Sequence, residues 1–206
     1  MRKIAESTVR RLSLYLRLLE EFEEQGAETV SSEALASRGG TTSAQVRKDL
    51  SFFGSFGKRG LGYSVGELVR RLREILGLGR TYRVAMIGAG KIGSALVQYR
   101  GFRQRGFEVV SIFDVDPAKI GRSWNGLTVQ SVVSLEGELR AHPVEIAVIV
   151  TPADAAQALT GRCVALGVKA ILNFAPVQLT VPDEVVVKTV NLALELETLS
   201  YALTNR

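Results

Sequence analysis

The chain has 206 residues, enough for two small domains with separate cores. Apolar residues make up 46% and charged residues 23%, an ordinary balance for a water-soluble globular protein, and no apolar run approaches the ~18–20 residues of a membrane span. The net charge of +5 is uneven: nine Lys/Arg against three acids give +6 over residues 38–80, while twelve against eleven give +1 over residues 81–206.

A concentrated basic stretch suits a phosphate backbone, although charge alone is equally compatible with a solvated face. The first residues, Met-Arg-Lys-Ile-Ala-Glu-Ser, lack the apolar core of a signal peptide. The single cysteine, Cys163, has no disulfide partner and no zinc-ligand companions, and it reads as a core thiol. A cytoplasmic, metal-free protein is the simplest expectation.

Val9, Leu12, Leu16, Leu19 and Phe22 repeat at helical spacing and predict a helix from Ser7 to Glu24, stopped at Gly26. A second helix begins at Ser31-Ser32, with Ser32 as the expected cap, and ends at Gly39-Gly40. A third opens at Thr42 and runs through Val46, Leu50 and Phe53, its apolar face. Short helix, turn, short helix is the helix-turn-helix pattern. On the third helix Gln45, Arg47, Lys48 and Ser51 are spaced to meet the major groove or its phosphates. The Gly- and Lys/Arg-rich stretch Gly54–Val65 reads as a β-hairpin wing, with Lys58, Arg59 and Tyr63 reaching the DNA backbone or a minor groove. A winged module used for protein contacts is the alternative. A fourth helix spans Val65 to Leu76, and Gly77-Leu78-Gly79 marks the boundary between domains at 1–79 and 80–206.

Beyond Tyr82, strands alternate with helices. Expected strands are 83–87, 107–113, 128–132, 145–150, 169–173 and 185–189, and runs such as Ile146–Val150 suit a parallel sheet buried on both faces. The expected class is therefore α/β: a winged helix-turn-helix domain followed by a Rossmann-type, doubly wound parallel sheet. A last helix, Leu192 to Leu203, carries Leu192, Leu196, Leu199 and Leu203 on one side, and must pack on its own sheet or cross to another subunit.

The first of these strands leads into Gly88-Ala89-Gly90-Lys91-Ile92-Gly93, and Asp114, 21 residues past Gly93, ends the second. Gly88 permits the tight turn, Gly90 lets backbone approach a pyrophosphate, and Gly93 lets the helix pack on the sheet. The helix N-terminus offers free N–H groups to phosphate. Asp114 suits the ribose hydroxyls and repels a 2′-phosphate, favouring NAD(H) over NADP(H). A structural turn or coenzyme A are the alternatives. Thr151-Pro152 and Asn173-Phe174-Ala175-Pro176 end two later strands where the rest of the ligand would lie. The only histidine, His142, precedes a strand at the far end of the sheet. No acid–base group or triad is apparent, so a regulator is favoured over the alternative, an NAD-dependent oxidoreductase with a helical accessory domain.

Residues 45–51, 54–63, 88–93, Phe113–Pro117, Lys119–Gly121 and 173–176 together resemble the bacterial redox-sensing transcriptional repressor family Rex. The resemblance covers nearly the whole chain. It implies a homodimer on double-stranded, palindromic operator DNA, with the last helix exchanged between subunits. NADH would release the repressor, and NAD+ would compete without releasing it. Lys119 would belong to the cofactor site. Arg17 and Tyr99 would match an arginine and a tyrosine of the family's switch. In some members an aspartate before the last helix links those groups. Here it is Asn191, which cannot form the ion pair.

Overall fold

The computed structural model describes residues 4–54, 56–57 and 61–205. It divides into two compact units, Met1–Arg80 and Thr81–Arg206.

In the first unit, helix α1 (Glu6–Glu24) leads to a short strand β1 (Thr29–Val30), then α2 (Ser32–Arg38) and α3 (Ser43–Ser51). Strand β2 (Tyr63–Ser64) and helix α4 (Val65–Ile75) follow. Leu12, Tyr15, Leu16 and Leu19 of α1 bury themselves with Leu35, Val46, Leu50, Leu68 and Leu72 from the other three helices, forming one core. Two local expectations change. The residue that caps α2 is Ser31, whose Oγ accepts from the Ala34 amide at 3.1 Å; Ser32 is already helical, so its hydroxyl is free for another partner. β2 pairs antiparallel with β1, Val30 opposite Tyr63, rather than with a second wing strand among the described residues. β1 is too short to leave a periodic trace in the sequence. Lys58 and Arg59 lie outside the described residues.

The second unit runs β3 (Tyr82–Ile87), α5 (Lys91–Gln98), α6 (Arg100–Gln104), β4 (Phe107–Asp114), β5 (Ser123–Trp124), β6 (Leu127–Ser131), α7 (Leu135–Ala141), β7 (Ile146–Ile149), α8 (Ala153–Ala165), β8 (Ala170–Asn173), β9 (Val186–Thr189) and α9 (Leu192–Thr204). The strand order is β5-β6-β4-β3-β7-β8-β9, parallel except for the β5–β6 pair. The chain moves outward from β3 through β4 to β6, then returns to β7 on the other side. The switch point therefore lies between the carboxyl ends of β3 and β7, where open α/β sheets bind ligands. One core layer centres on Phe113, Leu135, Ala147, Ile149 and Cys163, the other on Met86, Val97, Ile112 and Val129. Burial pushes the Cys163 thiol up to about 11, away from reactivity.

No residue of α9 is buried. Leu192, Leu196, Leu199 and Leu203 form the expected stripe, and Leu194 and Tyr201 add an apolar strip opposite, all 55–74% exposed. The helix does not pack on its own sheet. A helix apolar on two sides requires cover on both.

Candidate functional site

The glycine turn sits at the switch point. Gly88 adopts φ +111°, a region L side chains avoid, and a Cβ there would stand 2.6 Å from the Val150 carbonyl oxygen at the end of β7. A Cβ on Gly93 would collide with the Gly88 carbonyl, so α5 approaches the turn as closely as backbone allows. Gly90 faces open space, its Cβ position meeting nothing within 4 Å. It precedes α5 with no side-chain cap, leaving the first N–H groups of the helix available. Lys91 and Ile92 are exposed beside them.

Asp114 fixes this turn. Its carboxylate is 7% exposed and accepts from the amides of Ala89 at 2.6 Å and Asp116 at 2.8 Å, and from Lys119 Nζ at 3.2 Å. Burial opposes ionisation. The amides of Asp116 and Ala89 and the Lys119 ammonium outweigh it and hold the carboxyl below its ordinary range. Lys119 also lies 3.5 Å from Asp116. Beside the turn, Thr151 Oγ1 is shut off from solvent with no hydrogen-bond partner among the described residues. A buried hydroxyl without a partner fits a site completed by a polar ligand.

Asn173 is fully buried, and its side chain belongs to the loop itself. It donates to the carbonyls of Ala175 and Val177 and accepts from the Ala175 amide. It shapes Phe174-Ala175-Pro176 rather than lining space. Ile92, Phe174, Ala175, Pro176, Asn191 and Leu192 line one crevice of about 640 Å³, and none of its lining side chains carries a charge. The crevice thus joins the glycine turn, the loop after β8 and the start of α9. Pro152 caps α8 at the neighbouring strand end. His142 precedes β7, at the opposite edge of the sheet.

Of the switch candidates, Tyr99 and Asn191 lie apart within the second unit. Asn191 Oδ1 caps α9, accepting from the amides of Ala193 at 3.0 Å and Leu194 at 3.4 Å. Tyr99 lies between α5 and α6, edge-on to Phe102, and lines a different cavity from Asn191. Arg17 is exposed on α1.

On α3, Lys48 is exposed with no ion-pair partner among the described residues. Arg47 is exposed but reaches Ser32 Oγ at 2.8 Å and Glu33 at 3.4 Å. Ser51 Oγ donates to the Lys48 carbonyl. Tyr63 does not fit the expected contact with DNA. It is 8% exposed and part of the core, because the pairing of β2 with β1 turns it inward. Burial raises its phenol pKa.

Gln45 is only partly exposed, and its Nε2 donates to Asp49 Oδ1 at 2.8 Å. Asp49, which the sequence reading passed over, is 0% exposed. Arg11 of α1 grips it with Nε to Oδ2 at 2.6 Å and Nη2 to Oδ1 at 2.8 Å, and the Tyr15 hydroxyl donates at 3.1 Å. Burial works against the charge. The bonds from Arg11, Gln45 and Tyr15 outweigh it and keep the Asp49 carboxyl below its ordinary value, while burial and Asp49 push Tyr15 up to about 12. The signal for Asp49 was an acid sharing the apolar stripe of Val46 and Leu50. Arg11, 38 residues earlier, gave none.

The N-terminal residues 3–51 match a family model described as a putative DNA-binding protein N-terminus, and residues 80–177 match one described as a CoA binding domain. A redox-sensing transcriptional repressor Rex of Carboxydothermus hydrogenoformans is 50% identical over 199 residues, covering 97% of this chain and 96% of the relative. Among solved structures, RSP, a Rex-family repressor, in complex with β-NAD+ and operator DNA superposes with a TM-score of 0.93 at 38% identity, over 98% of this chain and 94% of that one. RSP in complex with β-NADH superposes with a TM-score of 0.90 at 37% identity, over 98% and 95%.

Removing one partner of a buried ion pair costs about 3–5 kcal/mol, and the 29% exposure of the Arg11 side chain places Arg11→Met near the lower end. Urea unfolding at neutral pH should show that loss. A lowered carboxyl pKa contributes stability that is complete above the ordinary 3.8 and disappears as pH falls through the folded-state value. The gap between wild type and Arg11→Met should therefore narrow below about pH 4.

Proposed function

The chain belongs to the Rex family of redox-sensing transcriptional repressors, and on that premise we propose that it represses transcription from palindromic operator DNA as a homodimer released by NADH. The single observation that carries the reading is the joint one: a pinned, ligand-ready glycine turn in one unit and an exposed, cationic third helix in the other.

The nucleotide fits the residues present. Gly88, Ala89, Gly90, Lys91, Ile92 and Gly93 would hold its pyrophosphate, with the amides at the start of α5 as donors. Asp114 and Lys119 would meet the adenosine ribose. Thr151 and Pro152 on one side, and Phe174 to Pro176 on the other, would bound the nicotinamide half, with Asn173 shaping that loop from beneath. Bound NADH or NAD+ supplies no chemistry here beyond a difference in charge between its two redox states. The uncharged lining of the crevice favours the neutral reduced ring, because a desolvated cation needs a partner.

Leu192 and Ala193 line that crevice while the rest of α9 presents its apolar faces outward. Exchange of α9 between subunits would cover those faces and couple pocket occupancy to subunit arrangement. A ligand shifts such an equilibrium only by its differential affinity: about 5.5 kcal/mol takes it from 1:99 to 99:1. The DNA-binding arrangement must set two copies of α3 about 34–36 Å apart for half-sites one turn apart. On α3, Arg47, Lys48, Gln45 and Ser51 are the contact candidates, with Lys58 and Arg59 beside them in sequence. Arg17, Tyr99 and Asn191 remain the candidates for the switch.

We read the protein as a regulator without turnover. The relatives' names as transcriptional repressors support this. Among the described residues no helix is long and apolar enough to cross a membrane, and no His/Cys/Asp/Glu group could hold a metal. A cytoplasmic place is part of the same reading.

Lys48→Ala should weaken operator binding roughly tenfold or more and reduce the salt slope by about 1, with NADH affinity unchanged. Asp114→Ala should weaken NADH binding about tenfold to a hundredfold, the worth of a hydrogen bond to a charged group, with ligand-free operator binding unchanged. Parallel anisotropy and NADH fluorescence titrations check both; equal loss of both activities in either variant contradicts the division of labour. Asn191→Asp adds a carboxylate to the crevice and should narrow the NADH preference over NAD+ about threefold to tenfold, read by competition titration.

A further inference from the structure

Asp49 does more than seat α3 on α1. We infer that Asp49 is a specificity-positioning residue: by holding the amide nitrogen of Gln45, it turns the amide oxygen away from the core, so that α3 reads an exocyclic amino group in the major groove. The target chemistry is adenine N6 or cytosine N4. The inference rests on the reading of α3 as the recognition helix.

A glutamine amide is ambidextrous. It has an oxygen that accepts and a nitrogen that donates, so a free one suits donors and acceptors on base edges alike. Gln45 is not free. Asp49 stands four residues along the same helix, within natural side-chain reach. Its carboxylate only accepts, and its orientation is set by two bonds from Arg11 and one from Tyr15. The oxygen of Gln45 placed against Asp49 Oδ1 would oppose two acceptors. The nitrogen must therefore face in, as the 2.8 Å contact has it, and the oxygen must face away from the buried carboxylate. Arg47 and Lys48 carry donors only, so they suit guanine O6 and N7. Gln45 supplies the accepting group they lack. Because the rotamer is set before DNA arrives, less conformational freedom is lost on binding.

The test uses the full-length protein and an operator duplex it binds. Each adenine of one half-site is replaced in turn by purine, which lacks the 6-amino group, and each cytosine by 2-pyrimidinone, which lacks the 4-amino group. A parallel series replaces purines by 7-deaza analogues, which lack the N7 acceptor. One amino deletion should weaken wild-type binding about tenfold, within the usual range for a base contact, and should change Gln45→Ala binding less than about twofold. The series in which it occurs identifies adenine or cytosine. In Asp49→Asn, where one accepting oxygen becomes a donating nitrogen, the same deletion should matter less than about threefold. A measurement on the unaltered protein stands beside it. In 15N-labelled wild type, the Gln45 side-chain NH2 should exchange with solvent more slowly than those of exposed glutamines such as Gln178.

No amino-deletion effect at any position, or one that persists in Gln45→Ala, overturns the inference even where Lys48→Ala still weakens binding. Sensitivity to N7 deletion that is lost in Gln45→Ala, with no amino-deletion effect, does the same, since it would show Gln45 donating. Full amino dependence in Asp49→Asn, or a Gln45 amide that exchanges like an exposed one, removes Asp49 from the account. Absence of operator binding by wild type removes the recognition-helix reading itself, and this inference with it.

Discussion

The bond from the Ala89 amide to the buried carboxylate of Asp114 is the constraint on which the cofactor site depends. It ties the turn after β3 to the end of β4, across the two central strands of the sheet. With that turn fixed, Gly88 and Gly93 can bring backbone against backbone, and Gly90 is left facing open space. The carboxylate is expensive to bury alone. It persists because two amides and Lys119 satisfy it. It builds the turn, and in the proposed reading it also meets the ribose.

The N-terminal unit repeats the device. Asp49 is buried at the foot of α3 and held by Arg11, Tyr15 and Gln45. Apolar residues in place of the whole cluster would pack as well and cost less desolvation. What the ion pair adds is direction, since a forked guanidinium fixes a carboxylate in one orientation and an apolar contact does not. Both units therefore place a buried acid beneath the element that would meet the ligand. α9 supplies the remaining requirement. Its first residues line the crevice, and its two apolar faces need cover. In the proposed reading a second subunit supplies that cover, so one helix would serve both ligand and assembly.

Much of this was legible in the sequence, for identifiable reasons. The central strands β3, β4 and β7 announce themselves as Val/Ile-rich runs because their carboxyl halves are buried on both faces, and the glycine turn has a spacing that backbone contact demands. β1 and β5 were not legible: two residues are too few for a period, and only pairing with β2 and β6 defines them. Tyr63 misled because a tyrosine among glycines and basic residues looks exposed, whereas its strand partner turns it inward. Asn173 misled in the same way; its position at a strand end was plain, but not that the loop would consume its amide. The network around Asp49 joins residues 38 apart, and only the fold brings them together.

The central claim is that reduced and oxidised cofactor shift the protein between DNA-bound and free states to different degrees. Fluorescence anisotropy of a labelled palindromic duplex, with protein at fixed salt and titrated separately with NADH and NAD+, tests it directly. Release by NADH at concentrations where NAD+ leaves the complex intact is the predicted result. Tight binding indifferent to both nucleotides, or equal release by both, would contradict it.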